Sequence, residues 1–582
     1  MNSSFTFPPM SVIIVPYMRR FLEKIPERIR LPTLTAIYGV VSGLVTVAFM
    51  LTVNKLFEWI WGGLSGLGKA EFAITSFVLI SLTSIASGIL MTKVQPDAAG
   101  SGIPQLKAAY WKDLGAVSLK AVIVKFVGGV LALVGGASLG REGPTVFIAG
   151  GLSSNVAGWL GVPYRRRRHA TASGAAAGLA AAFNTPLAAI SFVLEEILGD
   201  LNSRLLGSVV LASVCGAFVV YALMGSQPSF LMPAVDVSSW NMYLAVPVVA
   251  FLSALAGVLF QRGALDLRTK MRQMRQLPAW LRPFVGGVIT WAVGCTVYLT
   301  CHRLGVFGLG YEDLSDALEH GIGWKIAGIL AAAKIIATVA SYGTGGCGGI
   351  FSPTLFIGAM CGFFTAGLAK QWLHLTSADE LVLAAVGMSA CFGAVVRAPF
   401  TSILMIFEMT HQFGMVPALM LGTLISQAVA RLAGHSNFYE EVLLQDGHEI
   451  HKIAPPQDLT GWHNMPVSVL SNKKPVALTS LAPHALMTTL AKYPYRCFPV
   501  IIDGDLRGVI TRDSIEQAVA LGCEPVLEEP VIFLAHQSLQ EVEPQMIEAR
   551  AGLFLVAETE GAPATGIFTL HDLMRAQAAL LE

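Results

Sequence analysis

Between Leu31 and about Arg431 the chain is a succession of apolar runs of membrane length, separated by short segments rich in glycine and proline. The clearest run from Thr33 to Phe57, Phe72 to Met91, Ala121 to Leu139, Leu205 to Met224, Tyr243 to Phe260, Val285 to Cys301 and Ile326 to Tyr342. A helix of about 20 apolar residues crosses a bilayer core, so this pattern predicts a polytopic α-helical membrane domain. Beyond Arg431 the pattern changes. From about Asn464 short β-rich runs alternate with helical ones, and one unit occurs twice. The first copy has Phe498 to Ile502, a turn at Asp503-Gly504, Arg507 to Thr511 and a helix from Asp513. The second has Gly552 to Val556, Gly566 to Thr569 and a helix from His571. The expected organisation is an N-terminal arm over residues 1–30 with an amphipathic helix from Met18 to Arg30, a membrane domain over 31–440, a linker over 441–463 and a tandem α/β pair over 464–582.

Composition sharpens this. The 582 residues are 54% hydrophobic and only 13% charged, where soluble proteins carry about 25% charged residues. The net charge of +1 hides a segregation, with bases gathered at Arg19 to Arg30, Arg165 to Arg168 and Arg268 to Arg275. The positive-inside rule makes those regions cytoplasmic, and both chain ends are expected there. The 8 cysteines lack a Cys-x-x-Cys, so neither a disulfide framework nor a metal cluster is indicated. Gly63 to Lys69 imitates a phosphate-binding loop, but Ala70 stands where a magnesium-holding hydroxyl belongs and no strand precedes it, which makes it a loop between spans. No metal cluster, nucleophile elbow or phosphate loop in its proper context argues for an enzyme, and nothing argues for a nucleic-acid partner.

The candidate chemistry lies in the interruptions. In Ser138-Leu-Gly-Arg141-Glu142-Gly143-Pro144 a charged pair precedes an apolar run. Flanking glycines and an early proline describe a broken helix with an exposed N-terminus, which inside a membrane is an anion site. Glu142 is an anion already placed there; the plainer alternative is an Arg141–Glu142 pair at a helix start on the membrane surface. Gly100-Ser101-Gly102-Ile103-Pro104 offers a second such start with a hydroxyl before it. Glu195 and Glu196 end the apolar run from Pro186, at the helix end that the dipole disfavours for acids. A capping role is therefore not expected of them, and the plain alternative is that both reach water.

Self-comparison shows a duplication. Pro144-Thr-Val-Phe-Ile148 recurs as Pro353-Thr-Leu-Phe-Ile357, and Pro186 with Glu195 recurs as Pro399 with Glu408 at the same spacing. Two repeats of about 31–240 and 241–440 follow, and paired interrupted segments point to a transporter-like site between them. Glu142 maps onto Phe351 and Glu196 onto Met409, so each half supplies a helix start while only the first keeps these acids.

Gly100-Ser-Gly-Ile-Pro104, Gly140-Arg-Glu-Gly-Pro144, Gly349-Ile-Phe-Ser-Pro353 and Tyr439, in that order, resemble the signature of the CLC family of chloride channels and chloride/proton antiporters. The tail resembles a pair of cystathionine-β-synthase (CBS) domains. The resemblance implies a homodimer in a lipid bilayer, for a bacterial chain the inner membrane, with an inverted repeat of tilted and half-spanning helices in each subunit. It implies chloride held by Ser101, Tyr439 and the N–H groups of Ile350 and Phe351, a gating acid at Glu142 and an inner proton-transfer acid at Glu196. Gly308-Leu-Gly-Tyr311 fits the family's external loop. The implied function is chloride/proton antiport, with a passive voltage- or pH-gated chloride channel as the alternative. No cofactor is implied for transport; an adenine nucleotide on the CBS pair is, with Thr569 and Asp572 at the ribose, a spacing that the first copy breaks with Thr511 and Ser514.

Overall fold

The structure, a computed structural model, describes residues 26–582 except 202, 226–228, 231, 234–239, 435, 449–465, 473–474, 504, 549–551, 560–561, 563, 570–571 and 573–582. The arm up to residue 25, with most of the helix expected from Met18, lies outside the described residues. The chain forms two compact units, Met1–Ile453 and Ala454–Glu582.

The first unit is helical. Its first half holds α1 (Glu27–Ser65), α2 (Lys69–Ile89), α3 (Ile103–Lys112), α4 (Leu119–Val134), α5 (Glu142–Trp159), α6 (Arg167–Phe183), α7 (Pro186–Phe192, continued by a wider π turn over Val193–Leu198) and α8 (Leu206–Met224). Its second half holds α9 (Trp240–Gln273), α10 (Arg282–Cys301), α11 (Tyr311–His320), α12 (Trp324–Gly343), α13 (Phe351–Leu373), α14 (Ser377–Val396), α15 (Pro399–Thr410) and α16 (Val416–Ala433), and α17 (Phe438–Gln445) closes the unit. Among the described residues, 9 helices are long and apolar enough to cross a membrane. The first helix begins at Glu27, ahead of the apolar run expected from Thr33, because the residues from Glu27 to Pro32 join α1. The loop expected over Gly63 to Lys69 is shorter than that: Gly63 to Ser65 end α1 and Lys69 opens α2, leaving Gly66-Leu-Gly68 between them.

The helices α9 to α16 repeat α1 to α8 in order and closely in length. The short α3 and α11 have 10 residues each; at 1.5 Å per residue they reach about half of a hydrocarbon core. α6 and α14 stop the same way, on Asn184 and Arg397 with φ of 58° and 61°. A proline then opens α7 and α15, where its missing N–H costs nothing.

Two exchanges and one matched pair of contacts relate the halves. Gly140 and Gly349 form an antiparallel bridge with N–H to carbonyl distances of 2.7 Å in both directions. Glu408 of α15 accepts the Leu187 and Ala188 N–H groups at the start of α7, at 3.0 and 2.7 Å. Glu195 accepts those of Phe400 and Thr401 at the start of α15, at 3.1 and 2.9 Å. Finally, the fully buried Lys125 and Lys334 each clamp carbonyls of the loop before the short helix of their own half, Ala98 and Gly100 in one case, Gly305 and Gly308 in the other. Reciprocal contacts of this kind are those of a two-fold relation between the repeats. Glu195 corrects the expectation drawn from its position: it is a cap, of the partner repeat's helix instead of its own. The dipole that disfavours it at the end of α7 is answered by the positive end of α15.

The second unit has α18 (Pro483–Lys492), β1 (Cys497–Ile502), β2 (Asp505–Thr511), α19 (Arg512–Leu521), β3 (Val531–Leu534), α20 (Leu539–Glu548), β4 (Leu553–Ala557) and β5 (Ala564–Thr569). β1 pairs antiparallel with β2 around Asp503, while β4 pairs antiparallel with β5 and parallel with β3. Each copy has its own apolar core, one around Leu486, Phe498, Val500 and Ile510, the other around Phe533, Val542, Phe554 and Phe568. The sequence reading found the hairpins and missed α18, α20 and β3.

Candidate anion and proton site

Ser101 is fixed in front of α3 by its neighbours. Gly100 and Gly102 have φ of 79° and 109°, a region side chains avoid, so the two glycines are what allow the turn. Gln105 accepts the Gly102 N–H at 2.8 Å, and the Lys125 ammonium donates to the carbonyls of Ala98 and Gly100. The Ser101 hydroxyl is left fully buried without a hydrogen-bond partner among the described residues.

The starts of α5 and α13 meet through the Gly140–Gly349 bridge. A β-carbon at Gly143 would come within 2.6 Å of Ser101 Oγ and 2.9 Å of Gly349 Cα, so the glycine is what lets these three chain segments touch. Ile350 and Phe351 open α13, where N–H groups have no intrahelical partner. Tyr439 comes from α17 and is also fully buried with an unpartnered hydroxyl. Phe192 joins it to α13, its ring 6.5 Å from Tyr439 and 5.2 Å from Phe351. Leaving a buried hydroxyl unbonded costs roughly 1–3 kcal/mol. Two such donors beside helix N-termini have the chemistry of a site for a desolvated anion.

Glu142, the first residue of α5, is fully buried. Its Oε1 accepts from Tyr311 OH at 2.7 Å and from Ser352 Oγ at 2.6 Å, while Oε2 has no partner. Arg141 is not its surface partner. Arg141 is itself buried, with Nε 4.0 Å from Oε1; it donates to Asn54 Oδ1 at 2.9 Å and the Ala182 carbonyl at 3.3 Å and lies 5.2 Å from the centre of the Tyr311 ring. Tyr311 and Arg141 also line a cavity of about 380 Å³ with Asn54, Glu58, Glu312 and Asp313. Tyr311 and Ser352 stand inside the quoted motifs without an expected role; for Ser352 the available signal was a hydroxyl in the first turn of a mostly apolar helix, while Tyr311, on the acidic α11, carried none.

Glu196 is 3% exposed and does not reach water. Lys107 of α3 pairs with its Oε1 at 2.8 Å, and Asn437 donates to Oε2 at 2.9 Å. Glu440 lies 4.0 Å from the same ammonium. Lys107 and Asn437 were not foreseen, although a lysine six residues after Ser101, on a short and mostly apolar helix, was a sign that an acid had to be near. The neighbouring α3 turn is held by the expected basic loop, through Arg168 to the carbonyls of Tyr110 and Trp111 at 2.8 and 2.7 Å.

In the second unit, the Asp572 Oδ2 accepts from the Thr569 N–H at 2.9 Å and from its hydroxyl at 2.7 Å. The Asp572 N–H donates back to the Thr569 hydroxyl at 3.3 Å. The two residues thus bond each other reciprocally, and the helix expected from His571 lies, apart from Asp572, outside the described residues.

Known proteins resemble this chain in sequence and in fold. A family model described as voltage gated chloride channel matches residues 77–431. The H(+)/Cl(-) exchange transporter ClcA of Vibrio cholerae serotype O1 (strain M66-2) is 30% identical over 440 residues, covering 73% of this chain and 92% of its own. ClcA of Vibrio campbellii is 31% identical over 418 residues, covering 70% of this chain and 88% of its own. Among solved structures, a slow cyanobacterial Cl-/H+ antiporter has a TM-score of 0.63 at 24% identity, covering 72% of this chain and 97% of its own. A eukaryotic CLC transporter has a TM-score of 0.60 at 21% identity, covering 96% and 98%. These two share the fold. The matching family model and the 30% identical relative together establish that this chain, an integral membrane protein, belongs to the CLC family, the voltage-gated chloride channel family.

Proposed function

We propose that this protein exchanges chloride for protons across a membrane. The observation that carries the reading is the pair of buried hydroxyls of Ser101 and Tyr439, unpartnered among the described residues, the first against the start of α5 and the second one ring removed from the start of α13, with the carboxylate of Glu142 at the first turn of α5. The naming of its Vibrio relatives as exchange transporters supports it. Chloride is held by neutral donors, Ser101, Tyr439 and the N–H groups of Ile350 and Phe351, which bind it weakly enough to release it. Ionised, Glu142 competes with chloride for the helix starts; protonated, it leaves. Protons reach Glu142 from the inner side by way of Glu196, because Ser101 and the amide donors offer no titratable relay. The same donors favour chloride and bromide over fluoride, whose hydration they repay poorly.

The protein works as a homodimer in a bilayer, the inner membrane of a bacterium, with both ends of the chain in the cytoplasm; the three basic regions favour that orientation. The tail is a CBS pair with an adenine-nucleotide site at Thr569 and Asp572. A passive channel is the second reading, and the Lys107–Glu196 pair favours it, since an acid locked to an ammonium takes up a proton only after giving up its partner. Reconstituted liposomes decide between them. For the exchanger, a pH gradient alone drives chloride uphill and moves the reversal potential off the chloride Nernst value; a reversal potential that follows chloride alone makes the protein a channel.

A further inference from the structure

We propose that Tyr311 and Ser352 are positioning residues whose hydroxyls form a neutral latch on Glu142, and that this latch sets the pH at which chloride flux switches on. The proposal rests on the reading of Glu142 as the gating acid. Its basis is a triangle of oxygens: Tyr311 OH to Glu142 Oε1 at 2.7 Å, Ser352 Oγ to the same Oε1 at 2.6 Å, and Ser352 Oγ to Tyr311 OH at 2.8 Å. Each hydroxyl has one proton to donate, so three edges share two donors. With Glu142 in place, both protons point at its Oε1.

When the carboxylate departs, Ser352 can turn its proton to the Tyr311 oxygen, and the Tyr311 proton can turn to the cavity that its side chain lines. The two hydroxyls then satisfy one another instead of standing unbonded, so opening does not carry the full penalty of two stranded donors. The triangle thus has two states, one with Glu142 bound and one without it. Glu142 Oε2 is left outside the triangle, with no partner, and is where an arriving proton adds. A neutral acid accepts the two hydroxyls less well than a carboxylate does, and the latch loosens.

The charged and titratable neighbours on the elements packed here are few. Arg141 Nε stands 4.0 Å from Oε1, and Tyr311 is the other titratable group in contact. Lys334 faces the carbonyls of Gly305 and Gly308, and Asp313 faces Arg303 and the Gly305 N–H. The hydroxyls are therefore the part of the hold on Glu142 that can be removed without altering a charge.

The test is chloride efflux from proteoliposomes as a function of pH for wild type, Tyr311→Phe, Ser352→Ala and each of these in a Glu142→Gln background. Removing a donor to a charged acceptor is expected to move the pH of half-maximal flux upward by about one unit, a tenfold change in the proton activity required. The flux reached at acid pH should stay within about twofold of wild type, which also reports an intact fold. In the Glu142→Gln background neither change should alter the profile. If Glu142→Gln flattens the profile while both hydroxyl variants titrate like wild type, the latch is overturned and the gating acid stands. If Glu142→Gln itself titrates like wild type, the reading of Glu142 falls and the latch with it. Two independent substitutions keep the test open should one of them fail to assemble.

Discussion

Glu142 and Glu196 belong to the same repeat and both are buried, yet Glu142 is held by two neutral hydroxyls and Glu196 by an ammonium and an amide. Each hydrogen bond to a charged group is worth about 1.5–3 kcal/mol, so the two hydroxyls together hold about as strongly as an ion pair, but protonation of Glu142 itself weakens both at once. Removing one member of a buried ion pair costs about 3–5 kcal/mol. The outer acid is thus built to leave its place, and the inner one to stay where it is. Transport coupling then depends on motion at Glu142 and on charge exchange at Glu196.

The most complete way to break this contrast is Glu142→Gln. The amide keeps the size and loses both the negative charge and the proton it carries. Proton transport should fall to the background of empty liposomes while chloride flux continues, nearly independent of pH. Full proton coupling in this variant, read as proton uptake driven by a chloride gradient, would reduce Glu142 to a structural cap.

The inner acid is tested by removing its partner. Lys107→Met strands the Glu196 carboxylate and should cost about 3–5 kcal/mol of stability, visible as a lower midpoint of thermal unfolding in detergent. Adding Glu196→Gln removes the stranded charge and should recover most of the loss. That double variant, like Glu196→Ala, should keep chloride flux and lose proton flux, because the chloride ligands lie elsewhere. Unchanged stability in Lys107→Met would mean that the ion pair contributes nothing to the fold. Unchanged proton flux in the double variant would take Glu196 out of the pathway.

A smaller effect concerns the other two acids at the repeat boundary. Glu195 and Glu408 cap each other's repeat with paired N–H contacts. Glu195→Gln and Glu408→Gln should each cost on the order of 1–2 kcal/mol, the range for a charge at a partly buried helix start. Similar costs are expected from the two-fold relation, and proton flux should be unaffected in both. Loss of coupling in Glu195→Gln would show that the caps are not purely structural and blur the distinction between Glu195 and Glu196.

The sequence carried the spans, the duplication and the helix starts because these depend on local order: apolar run length, proline at a first turn, glycines around Ser101. It did not carry what depends on chain crossings. The two repeats meet through Glu195 and Glu408, and nothing local marks an acid at the end of one helix as the cap of another that starts two hundred residues away. Lys107 and Glu196 are 89 residues apart, and each by itself only announces that a counter-charge must exist. Tyr311 and Ser352 were visible as motif letters, but a hydroxyl's acceptor is set by packing. In the tail the hairpins were legible from Asp503-Gly504 and the alternating runs, whereas α18 and α20 pack on them through single apolar stripes too short to stand out.

The smallest expected effect lies in the tail and extends the same comparison, from hydroxyls without a partner to one already engaged. Ser101 and Tyr439 have free hydroxyls, but Thr569 and Asp572 bond each other reciprocally. A ribose at this place has to use what the pair leaves over: Asp572 Oδ2 takes both Thr569 contacts, and a carboxylate has about four lone-pair directions to offer. Binding should therefore be weak. Calorimetric titration of the full-length protein in detergent with ATP, ADP and AMP should give a small heat with at least one of them. Asp572→Ala should abolish that heat and also lower stability by about 1 kcal/mol through loss of those hydrogen bonds. Thr511→Ala should leave the heat unchanged, because in the first copy the Thr511 hydroxyl caps Ser514 with no carboxylate beside it. No heat with any of the three nucleotides in the wild type would leave Thr569 and Asp572 as a structural hydrogen-bonded pair and nothing more.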